Sequence, residues 1–256
     1  MMIEYADLVV LSFAALSAGF IDAVAGGGGL IQVPALFSAL PVQTPATLFG
    51  TNKLSSIFGT GNAVWSYARK IDLPWNLALP TAAAAFVFSF CGAAAVAWLP
   101  REVVRPLVFA LLVLVIFYTA LRKDFGLIAG IRLPGYVERQ RGLWIGSALG
   151  FYDGFFGPGT GSFLIFAFIR FFGLDFLRAS GVAKVVNFAT NAAALAYFIP
   201  TGNVLWVVGG AMAVSNIAGA QLGARAALRH GSGFVRWVFL FVASVLAIKF
   251  GIDIFR

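Results

Sequence analysis

One cysteine, one histidine and ten acidic residues are all that this 256-residue chain holds of the side chains on which most metal sites and hydrolases depend. A lone Cys91 leaves no intramolecular disulfide, and a single thiol in apolar sequence reads as a small packing residue. Without a His/Cys cluster there is no zinc-type ligand set, so neither metal nor cofactor is expected. A serine hydrolase at Gly159-Thr160-Gly161-Ser162 would lack its base, because the only histidine, His230, falls in an expected loop. Neither glycine run follows a strand or ends in Gly-Lys-Ser/Thr, which excludes a phosphate-binding loop. The chain is read as a non-enzyme.

Charge is scarce as well. Charged residues make up 11% of the chain and hydrophobic ones 61%, with a mean hydropathy of +0.92, whereas soluble domains carry about a quarter charged residues. These values describe an integral membrane protein of all-α, polytopic class. Apolar stretches at Leu8–Val24, Thr47–Tyr67, Leu77–Trp98 and Leu107–Leu121 approach the length of about 20 residues that spans a bilayer. Leu143–Phe156, Phe176–Phe198, Val204–Ala224 and Phe234–Ile252 follow in the second half. Between the first two spans of each half lies a shorter apolar piece, Leu30–Leu40 or Phe163–Phe172, which reaches across only about half a bilayer at 1.5 Å per residue. The N-terminus lacks the basic region and cleavage site of a signal peptide, so the first apolar run is expected to remain as a helix.

The formal net charge of +8 marks orientation rather than nucleic acid. If the segments alternate sides, Arg69, Lys70, the central Arg122, Lys123, Arg132, Arg139 and Arg141, then Arg170, Arg178, Arg225, Arg229 and Arg236 share one face. Only Arg101, Arg105 and Arg256 fall on the other. The positive-inside rule then puts the central loop in the cytoplasm and both termini outside. Whether the short segments cross or fold back, each half makes an odd number of crossings, which turns the second copy upside down. The expected organisation is a first repeat over 1–121, a linker over 122–141 and a second repeat over 142–256. His230 is expected to be solvated, Lys249 to snorkel, and Trp65, Trp75, Trp98, Trp144, Trp206 and Trp237 to anchor span ends.

Duplication itself is visible in the rare residues. A shift of 131 carries Asp22 onto Asp153, Lys53 onto Lys184 and Trp75 onto Trp206, and Gly19, Gly26, Gly28, Gly50 and Gly92 onto Gly150, Gly157, Gly159, Gly181 and Gly223. Asp22 stands just before Gly26-Gly27-Gly28-Gly29, and Asp153 just before Gly157-Pro158-Gly159-Thr160-Gly161. Each glycine costs a helix about 1 kcal/mol relative to alanine and Pro158 removes a donor, so both helices should break there. Broken backbone at membrane depth belongs against a watery cavity or inside protein. The half-helices beginning at Leu30 and Phe163 would then turn their N-terminal N–H groups toward that centre and favour an anion. Alternatively, the glycines serve only close helix packing.

The second constellation is Thr51-Asn52-Lys53 with Ser56, and Lys184 with Asn187 and Asn191. On a helix, Lys53 and Ser56 share a face, as do Lys184, Asn187 and Asn191, giving each half a cation flanked by neutral hydrogen-bond groups. That combination suits a small oxyanion held by a point charge rather than an arginine fork. Two roles stay open for Asp22 and Asp153: structural neutralisers of Lys53 and Lys184 within their own halves, or proton sites that release the lysines.

At these residues the chain resembles the TauE/SafE family of membrane permeases, which includes sulfite and sulfonate exporters. The resemblance rests on Gly26-Gly27-Gly28-Gly29, Val33-Pro34, Gly50-Thr51-Asn52-Lys53 and the second glycine-rich copy. That copy departs from the first in Pro158, in Thr160, and in Ile165 where Pro34 stands earlier. The resemblance implies a permease for sulfite, organosulfonates or other small organic anions. The expectation is a multi-pass permease of the bacterial inner membrane, exporting such an anion with no cofactor and no nucleic-acid partner. An inside-negative potential supplies about 2.3 kcal/mol per charge per 100 mV for that direction. Lys53, Lys184, Asn52, Thr51, Ser56, Asn187, Asn191, Gly28, Gly29, Gly159 and Gly161 form the expected substrate site, with Asp22 and Asp153 as charge partners or proton sites. Proton-coupled anion uptake and a non-transporting membrane scaffold are the alternatives.

Overall fold

The computed structural model describes residues 5–95 and 135–255, the side chains of 242, 243 and 245–255 excepted. The expected span at Leu107–Leu121, together with Trp98, Arg101, Arg105, Arg122, Lys123, Arg132, Arg256 and the Lys249 side chain, lies outside that description. Eight helices and no strand form among the described residues: α1 (Tyr5–Ala25), α2 (Gly29–Ala39), α3 (Pro45–Ala68), α4 (Trp75–Ala95), α5 (Gly135–Phe155), α6 (Thr160–Phe172), α7 (Phe176–Phe198) and α8 (Trp206–Phe255). Helices α1, α4 and the Trp206–Phe241 part of α8 are long and apolar enough to cross a membrane. With 24 and 23 residues, α3 and α7 are also long enough at about 1.5 Å per residue, but they carry the polar residues of the interior.

The helix ends follow local chemistry. Thr44 caps α3, its side chain accepting from the Thr47 N–H with Pro45 in the first turn, and Asp175 caps α7 by accepting from the Leu177 and Arg178 N–H groups. These caps occupy the same position of the 131-residue repeat. So do Gly26 and Gly157, which end α1 and α5 at φ 78 and 90, a left-handed turn that glycine adopts without a Cβ penalty. In α8 a further left-handed glycine, Gly231, bends the helix, and His230 sits exposed beside it.

Both short helices fold back along the helix before them. A Cβ on Gly28 would strike Ala18 and Asp22, and Leu36 of α2 and Leu40 just after it share a buried cluster with Leu11 and Ala15 of α1. In the second half, Tyr152 and Phe163 meet edge to face at 5.7 Å. Nearer the open end, the Arg141 guanidinium donates to the Phe171 carbonyl at 3.5 Å. Chain 5–39 and chain 135–172 are therefore two helical hairpins, each with its closed end at a glycine break.

The long helices interleave the halves. Helix α3 runs antiparallel to α7, since Gly50 abuts Phe198 while Gly181 abuts Tyr67. Helix α1 packs on α8, and α5 on α4, so the first helix of each half lies on the fourth of the other. Both contacts rely on small residues. A Cβ on Gly154 would stand 1.9 Å from the Ser89 carbonyl oxygen, and one on Gly19 2.3 Å from that of Asn216. With Gly142, Gly146 and Gly150, Gly154 forms a glycine stripe at four-residue spacing, which lets backbones approach where lipid offers no hydrophobic drive between helices. Glycine serves close packing on this stripe and also in the runs after α1 and α5, where Gly26 and Gly161 meet backbone to backbone. Trp65, Trp75, Trp144, Trp206 and Trp237 are all on the outside, as interfacial anchors should be.

Candidate functional site

The closed ends of the two hairpins meet. A Cβ on Gly26 would fall on the Gly161 backbone, and one on Gly29 would touch Pro158, so the first break crosses the second at contact distance. The α1 carbonyls freed by the break are capped by hydroxyls: Tyr67 donates to Ala23 O (2.9 Å), Ser180 to Val24 O (3.1 Å) and Ser162 to Ala25 O (2.8 Å). A buried carbonyl left open would cost about 1–3 kcal/mol, which explains why three separate elements supply hydroxyls here. Shifted by 131, the three donors become Phe198, Phe49 and Ile31, which have none to give. The second break instead ties to itself, through Tyr152 donating to Pro158 O and Thr160 to Gly157 O.

Between the breaks and the α3/α7 pair lies a cavity of about 30 Å³, room for roughly two waters at 10–15 Å³ each. Of the residues expected at a substrate site, Asn52, Lys53, Ser56, Asn187, Asn191, Gly28, Gly29, Gly159 and Gly161 line it, together with Asp22 and Asp153. Helices α2 and α6 start on its wall, and among the described residues no acceptor meets the N–H groups of Gly29 and Gly161. Both glycines line the cavity, at the positive N-terminal ends of α2 and α6.

The charges are paired, but not within the halves. Lys53 Nζ lies 2.5 Å from Asp153 Oδ2, and Lys184 Nζ 2.9 Å from Asp22 Oδ2. Neutralisation of Lys53 by Asp22 and of Lys184 by Asp153 is thereby corrected: each lysine takes the carboxylate of the opposite half. The reason is geometric, because α3 passes the closed end of the α5–α6 hairpin and α7 that of α1–α2. The pairs also differ. Both members of Lys53–Asp153 border the cavity, whereas Lys184 is fully buried behind Asp22. Thr51 lies off the cavity too, donating to Thr47 O and accepting from the Leu205 N–H at the start of α8.

Two polar residues escaped the sequence reading. Asn216 of α8 lines the cavity and donates to Gln32 Oε1 at 2.9 Å, while Gln32 donates to Asn52 O at 3.4 Å. Gly59 makes room, since a Cβ there would lie 1.8 Å from Asn216 Oδ1. Their counterparts at the 131 shift, Ala85 and Phe163, are apolar, so a search for duplicated polar residues passes over them. An amide inside an apolar helix was the signal available. Asn52 and Asn187, both more than nine-tenths buried, keep an Oδ1 without a partner; an amide can turn to present either its acceptor or its donors to a guest.

The family profile described as Sulfite exporter TauE/SafE matches residues 11–250. The chain is 37% identical to the "Probable membrane transporter protein ORF9" of a Sinorhizobium species, over 94% of this chain and 91% of that one. It is 35% identical to the "Probable membrane transporter protein YfcA" of Escherichia coli K12, over 94% and 88%. A "Probable membrane transporter protein" of Haemophilus influenzae is 32% identical over 96% and 95%. No solved structure matches. Helical hairpins closing on a polar cavity, in a chain matched nearly end to end, place the protein in the Sulfite exporter TauE/SafE family as a multi-pass membrane transporter.

Proposed function

We propose that the transporter carries a small oxyanion, sulfur-containing or organic, out of the cell across the bacterial inner membrane, through the cavity at the crossing of the two breaks. One observation carries the reading: the Lys53 ammonium, the free N–H groups of Gly29 and Gly161 and the amides of Asn52, Asn187, Asn191 and Asn216 converge on one cavity. Point charge, helix N-termini and neutral donors together match tetrahedral or pyramidal oxyanions. The cavity as it stands is too small for such an anion and its hydration shell, so loading requires it to widen. Antiparallel α3 and α7, and the exchange of first and fourth helices between halves, support two inverted repeats that rock about the site. Lys53 is the substrate-contacting cation in this reading, and Lys184 holds Asp22 on the opposite wall.

Liposomes containing purified protein and loaded in turn with sulfite, an alkanesulfonate or a small carboxylate test it. Efflux above that of protein-free vesicles for at least one oxyanion is the expected result. No flux of any of them, under either an imposed potential or a pH gradient, would sink the reading in favour of a non-transporting scaffold.

A further inference from the structure

The four charges at the site cancel. Lys53 and Asp153 form one pair, buried and bordering the cavity, and Lys184 and Asp22 the other, with Asp22 part-buried on the cavity wall and Lys184 fully buried behind it. Any anion entering this centre therefore adds an uncompensated charge unless something else changes, and an unpaired charge in a buried site is strongly disfavoured. From this balance, resting on the permease reading above, we infer that the Lys53–Asp153 pair is the coupling element: the anion replaces the Asp153 carboxylate on Lys53 as Asp153 takes up one proton.

The step balances. A proton from the aqueous side adds to an Asp153 carboxylate oxygen, the ion pair to Lys53 opens, and Lys53 pairs with the anion instead. No electron moves, and no covalent bond is broken or formed at the substrate. Two states of the centre keep it neutral: the empty one with the lysine–aspartate pair intact, and the one loaded with a proton and a monovalent anion. The half-loaded states, proton alone or anion alone, leave one charge unpaired and are suppressed, which is what makes two gradients move together.

Asp153 rather than Asp22 is assigned the proton because only its pair lies wholly on the cavity. Its surroundings offer no rival. Helix α3 presents Lys53 to it, and α4 carries no charged residue. Helix α6 carries only Arg170, in its last turn, whereas α7 has Arg178, paired with Asp175 near the helix start, and Lys184, held by Asp22 of α1. On α5 the neighbouring Tyr152 gives its hydroxyl to Pro158 O, and Glu138, Arg139 and Arg141 stand in its first two turns. A divalent anion loaded with one proton keeps one net charge, so an inside-negative potential still favours its exit, whereas a monovalent anion and its proton move as a neutral load whose direction is set by the anion and proton gradients alone.

Methanesulfonate, a monovalent anion that does not titrate near neutrality, is the probe. In weakly buffered detergent solution, wild-type protein should take up one proton for each methanesulfonate bound. In liposomes its flux should follow an imposed pH gradient and ignore an imposed potential. Asp153→Asn should lose flux driven by the pH gradient while keeping methanesulfonate–methanesulfonate exchange. Wild-type flux that follows the potential with no proton uptake overturns the inference and leaves the permease standing. No movement of any oxyanion overturns both. The wild-type proton count decides the matter even if Asp153→Asn fails to fold.

Discussion

Lys53 and Asp153, one hundred residues apart, share a 2.5 Å ion pair across the two halves of the protein. Asp22, which stands before the glycine run of the same half as Lys53, binds Lys184 instead. The exchange ties the long polar helix of each half to the hairpin of the other, so rearrangement of the halves must carry these pairs along or open them.

A double-mutant cycle checks the pairing. Lys53→Ala alone should destabilise the detergent-solubilised protein by about 3–5 kcal/mol, because it strands Asp153 in a buried site. Lys53→Ala with Asp153→Ala should regain most of that loss in a denaturation experiment, whereas Lys53→Ala with Asp22→Ala should not. Neither double variant should transport.

Asn216 gives a separate handle on the substrate. Asn216→Ala removes one amide from the cavity and frees Gln32, and should raise the apparent KM for the transported anion roughly three- to tenfold, the worth of about one hydrogen bond. Gln32→Leu should share the effect, since Gln32 orients Asn216. Unchanged KM in both would remove this arm from the site.

Tyr67→Phe keeps the ring and deletes only the hydroxyl that caps Ala23 O. The expected loss is about 1–3 kcal/mol of stability, from a buried carbonyl left open, read as a lower melting temperature. Phe198, its counterpart at the 131 shift, caps nothing through its ring, so Phe198→Leu should cost by packing alone.

Glycine substitutions separate contact from conformation. Gly154→Ala would place its Cβ 1.9 Å from the Ser89 carbonyl oxygen and should cost about 1–3 kcal/mol by prising α5 from α4. Gly210→Ala has no neighbour within 4 Å of the new atom and should be neutral or stabilising by up to about 1 kcal/mol, as alanine favours helix. Equal effects at the two positions would refute the glycine stripe as a contact surface.

Inversion of the halves is tested from outside. In a Cys91→Ser background, Lys70→Cys after α3 and Thr201→Cys after α7, both at exposed positions, should react with impermeant thiol reagents from opposite sides of the membrane. Lys70→Cys is expected to be protected in whole cells and Thr201→Cys labelled. Labelling from one and the same side would rule out the inverted arrangement.

Much of this was legible in the chain because it is local. Helix breaks after Asp22 and Asp153 follow from what glycine and proline do to a backbone, whatever surrounds them, and membrane residence follows from the scarcity of charge. The cavity residues Asn52, Lys53, Ser56, Asn187 and Asn191 could be named because helical spacing fixes which side chains share a face. What one chain of letters does not contain is which face meets which. Tertiary packing chose Asp153 for Lys53, put Lys184 behind the cavity rather than on it, and turned Thr51 toward Leu205. The same packing brought Asn216 through the gap at Gly59 and gave the first break three hydroxyl caps that the second lacks. A duplicated sequence predicts equal halves, but burial in three dimensions depends on neighbours drawn from both, and these differ at the break carbonyls and at Gln32 and Asn216, where a polar group had to be satisfied in one half alone.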